Sequence, residues 1–140
     1  MGQEALTLES SIRFLRIVYL VILAAMIDEV LVAEKLINHV VRDIRTFWLA
    51  MLAVGVAEIG IAISFRNRML GPAMDVLQSS PNNVVALGKW RAANILSFVL
   101  SNAVVLFGFA VRFTGGTTMQ SLPFYVAGFS MMLLWWPRRP

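Results

Sequence analysis

FWLAMLAVGVAEIGIAISF (47–65) and AANILSFVLSNAVVLFGFAV (92–111) are the stretches that decide the fold. Each has the length and apolarity of a bilayer-crossing helix, which needs roughly 20 residues at about 1.5 Å rise each. The first contains one carboxylate, Glu58, and the second one amide near its middle, Asn102. The polar segment joining them carries the turn Ser79-Ser80-Pro81, from which Glu58 and Asn102 lie at nearly equal chain distance. In an antiparallel hairpin the two face each other at one depth. They are the candidate ion-translocation residues, because no other pairing places buried polar chemistry in the apolar region.

Working outward, FLRIVYLVILAAMI (14–27) is followed by Asp28-Glu29 and VLVA (30–33). Its uninterrupted core is too short to span alone, so a spanning helix over about 13–33 places both carboxylates at the outer rim. There Asp28 and Glu29 either form a wet ionic cluster with Arg112, Arg42 or Arg45, or are solvated at the bilayer surface. Thr7, Glu9, Ser10 and Ser11 offer caps for a start near Ser10. The segment 34–47 puts Leu36, Ile37, Val40, Val41 and Ile44 on one helical face and reads as an extension past the surface or along it.

The second helix, about 46–67, carries a seam of small residues, Ala50, Ala53, Ala57, Gly60 and Ser64, which lets another helix approach closely. The third, about 91–112, carries a looser one of Ala93, Ser97, Ser101 and Gly108. Two facing seams predict a tight hairpin. Gly71-Pro72 and Ser80-Pro81-Asn82-Asn83 read as breakers between them, although the stretches on either side of the second turn are helix-compatible, which lets helices two and three project beyond the bilayer. After Arg112, a Gly/Thr loop leads to a short fourth helix, about 119–136, broken or starting at Pro123 and ending in Trp135-Trp136 at an interface. The expected fold is all-α: a polytopic membrane protein of four transmembrane helices arranged as two hairpins, one integral membrane domain over 1–140.

The composition agrees with that reading. Of 140 residues, 59% are hydrophobic and only 14% charged, where a soluble domain carries about 25% charged residues. Mean hydropathy is +0.74. The net charge of +4 comes from Lys and Arg at the ends of apolar runs, a headgroup-anchoring pattern that gives no reason to expect nucleic acid. Arg13, Arg16, Arg66, Arg68, Lys89, Arg91, Arg138 and Arg139 outnumber Lys35, Arg42, Arg45 and Arg112, which puts both termini and the central loop in the cytoplasm of what reads as a bacterial inner membrane. The opening MGQEALTLESSIRFLR lacks a signal-peptide pattern, and Leu6 stands where myristoylation requires Ser or Thr.

With no cysteine, disulfides and thiolate chemistry are excluded. The one histidine, His39, reads as an interfacial side chain; a pigment ligated by His39 is the alternative. No catalytic set, metal-ligand spacing or phosphate loop is evident, so no enzyme activity and no cofactor are expected. The partners expected are membrane lipids and either further copies of the chain or other membrane subunits. The leading reading is a small non-catalytic membrane subunit that assembles through its small-residue seams. Proton or cation translocation at Glu58 and Asn102 is the second reading, and a pigment- or quinone-associated subunit the third.

RAANILSFVLSNAVVLFGFAV (91–111) resembles the second helix of the proteolipid c subunits of rotary ATP synthases. In that family an Arg near the cytoplasmic loop precedes the ion-carrying carboxylate, a small residue follows it, and an aromatic-Gly pair comes beyond. The matching positions are Arg91, Asn102, Ala103 and Phe107-Gly108. The resemblance covers about half the chain and implies a rotary-type ion-binding hairpin. It departs from the family where Asn102 replaces the carboxylate and where only Gly55 and Gly60 remain of the Gly-rich first helix. On that comparison Glu58 carries the displaced carboxylate.

Overall fold

The computed structural model describes residues 7–35 and 43–137. Among these the secondary structure is helical throughout: α1 Leu8–Lys35, α2 Arg45–Ser79, α3 Val84–Phe113 and α4 Thr118–Leu134. Two of the four, α2 and α3, are long and apolar enough to cross a membrane. α4 has only 17 residues, and Asp28, Glu29 and Glu34 interrupt the apolar run of α1.

The starts of the helices are written in local hydrogen bonds. At α1, the Ser10 N–H donates to Thr7 Oγ1 and the Thr7 N–H to Ser10 Oγ, both 3.2 Å. At α3, the Ala86 N–H donates to Asn83 Oδ1 at 3.0 Å. At α4, Thr117 and Gln120 form a reciprocal capping box. Each satisfies backbone donors that a helix leaves open in its first turn.

α2 runs unbroken for 35 residues, through Gly71-Pro72, where the sequence suggested a break. Pro72 removes the bond to the carbonyl of Arg68, but both Gly71 and Pro72 face outward, where solvent can satisfy that carbonyl. On either side of the proline, Leu70, Ala73 and Leu77 are buried, and this packing carries α2 on to Ser79. α3 correspondingly begins at Val84 rather than near Arg91. α4 likewise passes through Pro123 without a break.

The helices alternate in direction. Arg91 lies over Phe14 at one end and Arg112 meets Glu34 at the other, so α1 and α3 run parallel. Arg66 reaches Ser97 and Gly55 sits against Phe107, so α2 is antiparallel to α3. α3 packs against all three neighbours, whereas α1 and α2 do not pack on each other among the described residues. Within its most apolar window 44% of α3 is buried, against 11% of α2. The expected pair of hairpins is therefore replaced by a hub: α3 at the centre, with α1, α2 and α4 around it.

α3 can serve as a hub because its small residues allow close approach. A Cβ on Gly128 of α4 would stand 2.8 Å from the Ser101 carbonyl, and one on Gly108 would stand 2.5 Å from the Tyr125 ring. Thus Ser97, Ser101 and Gly108 are buried, with Ser101 and Gly108 facing α4. The facing-seam expectation is corrected here, since Ala50, Ala53, Ala57, Gly60 and Ser64 of α2 all face outward. α2 instead turns Met51, Leu52, Ile59, Met69 and Leu70 toward the core, because larger apolar side chains gain more from leaving water or lipid-exposed surface.

Candidate functional site

Polar groups converge between α1, α3 and α4. Arg112, in the last turn of α3 and only 5% exposed, places Nε 2.8 Å from Glu34 Oε1 and donates from Nη1 to the Gly116 carbonyl at 2.6 Å. A cation at this helix end also meets the negative pole of the α3 dipole. The chain reverses immediately after it, at Gly115, whose φ of 100° is a conformation suited to glycine. Thr118, at the start of α4, donates its hydroxyl to Glu34 Oε2 at 2.8 Å. One carboxylate of α1 therefore ties together the ends of α3 and α4.

About 7.5 Å deeper along α1, five residues at the helical rise, Glu29 meets Asn102. The Asn102 Nδ2 donates to Glu29 Oε1 at 3.2 Å, while Glu29 Oε2 and Asn102 Oδ1 are buried without a hydrogen-bond partner. Tyr125 of α4 lies within electrostatic reach of Glu34, Arg112 and Glu29, so the two pairs and the phenol form one cleft.

Asn102 thus pairs with Glu29 and makes no hydrogen bond to Glu58. The depths of Glu58 and Asn102 agree to within about 3 Å, two residues of helical rise, in the register set by the Gly55–Phe107 and Arg66–Ser97 contacts. The faces differ. Phe107, which points at α2, follows Asn102 by five residues, which rotates it about 140° around α3. Glu58 is partly buried on α2 and makes no hydrogen bond or ion pair among the described residues.

Of the outer-rim candidates, Glu29 and Arg112 enter the cleft, whereas Asp28 faces outward. His39 and Arg42 lie outside the described residues. Sequence reasoning missed Glu34, Thr118 and Tyr125. Glu34 offered a signal, being five residues from Glu29 on the same helix, but only the parallel register of α1 and α3 brings it to Arg112. Among the described residues, no group of three or more His, Asp or Glu is placed to hold a metal ion.

No protein-family model matches this chain, and no curated protein or solved structure is similar to it. The cleft's role is therefore argued from its chemistry alone. Its two pairs bind helix to helix.

The deeper pair makes a specific prediction. A glutamine at position 29 keeps an acceptor for the Asn102 Nδ2 and removes the charge whose second oxygen, Oε2, is buried without a partner. Glu29→Gln is expected to hold stability within about 1 kcal/mol of the native protein, whereas Glu29→Leu, leaving the amide unpaired, loses about 1–3 kcal/mol. Thermal unfolding in detergent, followed by tryptophan fluorescence, separates the two. Equal losses for Gln and Leu would show that the Asn102 bond contributes nothing.

Proposed function

We propose that the protein is a non-catalytic integral membrane subunit, its four helices embedded in the bilayer, which assembles with further copies through the outer face of α2. The exposed seam carries this reading: Ala53, Ala57, Gly60 and Ser64 lie on the side of α2 turned away from α3. Small side chains at this spacing allow two membrane helices to approach closely.

A membrane setting is supported by the outward surface as a whole. Ile17, Leu20 and Val21 on α1, Val54, Val56 and Ile61 on α2, and Leu122, Val126 and Leu133 on α4 are all exposed. A monomer in water seldom exposes an apolar patch beyond a few hundred Å². In a spanning α1, Glu29 and Glu34 are accommodated because they turn inward to Asn102 and Arg112, while the outward-facing Asp28 is left to the outer rim. Both termini then share the end rich in Arg66, Arg68, Lys89 and Arg91, the side expected in the cytoplasm.

The chain has no cysteine, so single cysteines report contacts without background. Ala57→Cys and Gly60→Cys are expected to form interchain disulfides in native membranes under mild oxidation, while Leu20→Cys on the outer face of α1 does not. The native mass of the detergent-extracted protein should be a multiple of 15.6 kDa. A monomeric mass with no crosslink at the seam would sink the assembly reading.

A second reading, proteolipid-like ion translocation, is favoured by one observation: Glu29, Asn102 and Glu58 lie at or near one depth within the helices. On this reading Glu29, bonded to Asn102, is the carrier rather than Glu58. Loss of proton flux in Glu29→Gln vesicles, with assembly intact, distinguishes it.

A further inference from the structure

At the opposite end from the Glu34–Arg112 pair, a cavity of about 190 Å³ opens between α2, α3 and the end of α4, lined by Arg66, Leu70, Trp90, Asn94, Leu134 and Trp136 among others. It holds about the volume of six waters, enough for a phosphodiester group. Arg66 stands where the apolar run of α2 ends, at the depth where Trp and basic residues meet headgroups.

Among the described residues the charge of Arg66 meets no counter-charge. Its Nη1 donates to Ser97 Oγ at 3.2 Å and approaches Asn94 Oδ1 at 3.5 Å, and its guanidinium lies 5.3 Å from the Trp135 ring centroid. All three partners are neutral. Among the described residues no carboxylate pairs with Arg66, and its Nε and Nη2 make no hydrogen bond. Ser97 spends its hydroxyl donor, and Asn94 one of its two amide N–H groups, on the backbone of α3. They hold the guanidinium in place by accepting from it, and leave the rest of its planar fork for an oxyanion.

We propose that this cavity is a binding site for the phosphate of an anionic phospholipid. A lipid is favoured over free phosphate because the rim is apolar and open: Leu134 is 73% and Trp136 40% exposed, so an acyl chain can leave past them into the bilayer. Exposed Arg68 and Lys89 at the same end favour a lipid with net negative charge over a zwitterionic one. The site lies within one protomer and does not depend on assembly through α2.

The test is lipid titration of the full-length protein in detergent, with phosphatidylglycerol, phosphatidylcholine and inorganic phosphate as probes. Retained lipid is counted by native mass spectrometry, and tryptophan fluorescence reports on Trp90 and Trp136. Phosphatidylglycerol is expected to bind and to quench or shift the emission, with phosphatidylcholine weaker. Arg66→Gln should weaken phosphatidylglycerol about tenfold, the scale of one charge-assisted interaction, while Arg68→Gln changes it less than about twofold, as expected of an exposed charge. Leu134→Trp, which narrows the mouth without touching the guanidinium, should also lower retention, and it serves if Arg66→Gln fails to fold. Equal losses at Arg66 and Arg68 would show only diffuse attraction and overturn the site. So would equal binding of phosphatidylcholine, unchanged retention in Leu134→Trp, or inorganic phosphate that the lipid does not displace. Native mass unchanged by these variants separates this result from the assembly of the subunit.

Discussion

Arg112→Gln is expected to cost about 3 kcal/mol of stability, the low end of the range for breaking a buried ion pair. The low end applies because Glu34 keeps 26% of its side chain exposed, while Arg112 is nearly enclosed. The substitution leaves the Glu34 carboxylate facing Thr118 without a cation, and it removes the donor to the Gly116 carbonyl that fastens the α3–α4 turn. Glu34→Gln should cost at least as much, because it leaves the guanidinium of Arg112, the more buried of the two, without its counter-charge, although glutamine still accepts from Thr118. The double variant should fall short of the sum of the singles by about 1–3 kcal/mol, the coupling of residues in one network. Unfolding midpoints of the four proteins of this cycle, measured in one detergent, give that coupling directly. Simple additivity would mean that the pair is a bystander to the fold.

The same residues show why some of the structure could be read in advance and some could not. Helix existence was legible because it is local: apolar length sets α2 and α3, and Thr7 caps α1 by a hydrogen bond from the residue three positions on, whereas the Asn83 cap of α3 lies in a stretch that reads as a breaker. The common depth of Glu58 and Asn102 was legible too, since chain distance from a turn converts directly to rise along antiparallel helices. The face was not. Whether Asn102 points to α2 or α1 depends on which neighbour α3 offers that side, and that follows from the close approach of α3 and α4 at Gly108 and Gly128, a contact that no local sequence pattern announces.

Helix ends misled for a related reason. Gly71-Pro72 is a breaker by propensity, but burial of Leu70, Ala73 and Leu77 against the hub outweighs one missing hydrogen bond on the outward side. The cleft was half legible. Glu29, Asn102 and Arg112 stand out as polar residues in or beside apolar runs, whereas Glu34 and Thr118 look like ordinary surface residues until α1 and α3 are set parallel. Arg66 reads as one more interfacial arginine until its neighbours among the described residues prove to be Asn94, Ser97 and Trp135, without a carboxylate.

Two glycines in this chain should respond in opposite ways to the same added methyl group. At Gly128 a Cβ would meet the backbone carbonyl of Ser101 at 2.8 Å and the Val105 side chain at 2.5 Å. Carbonyl oxygens in a packed helix cannot step aside, so Gly128→Ala must push α4 off α3, at an overpacking cost of about 1–3 kcal/mol. The displacement would also widen the Tyr125–Gly108 contact and move Trp135 away from Arg66, so the fluorescence of the folded state should change along with the midpoint. At Gly60 a Cβ meets nothing within 4 Å inside the protomer. Gly60→Ala should therefore leave the protomer's unfolding unchanged or raise its stability by up to about 1 kcal/mol, the difference between the two residues in a helix. Gly60→Leu should be equally harmless to the protomer and should abolish the seam crosslink at Ala57, because it fills the space a second α2 would need. A loss of protomer stability in Gly60→Leu equal to that in Gly128→Ala would mean that the outer face of α2 packs within the chain, and that the seam is not available for assembly.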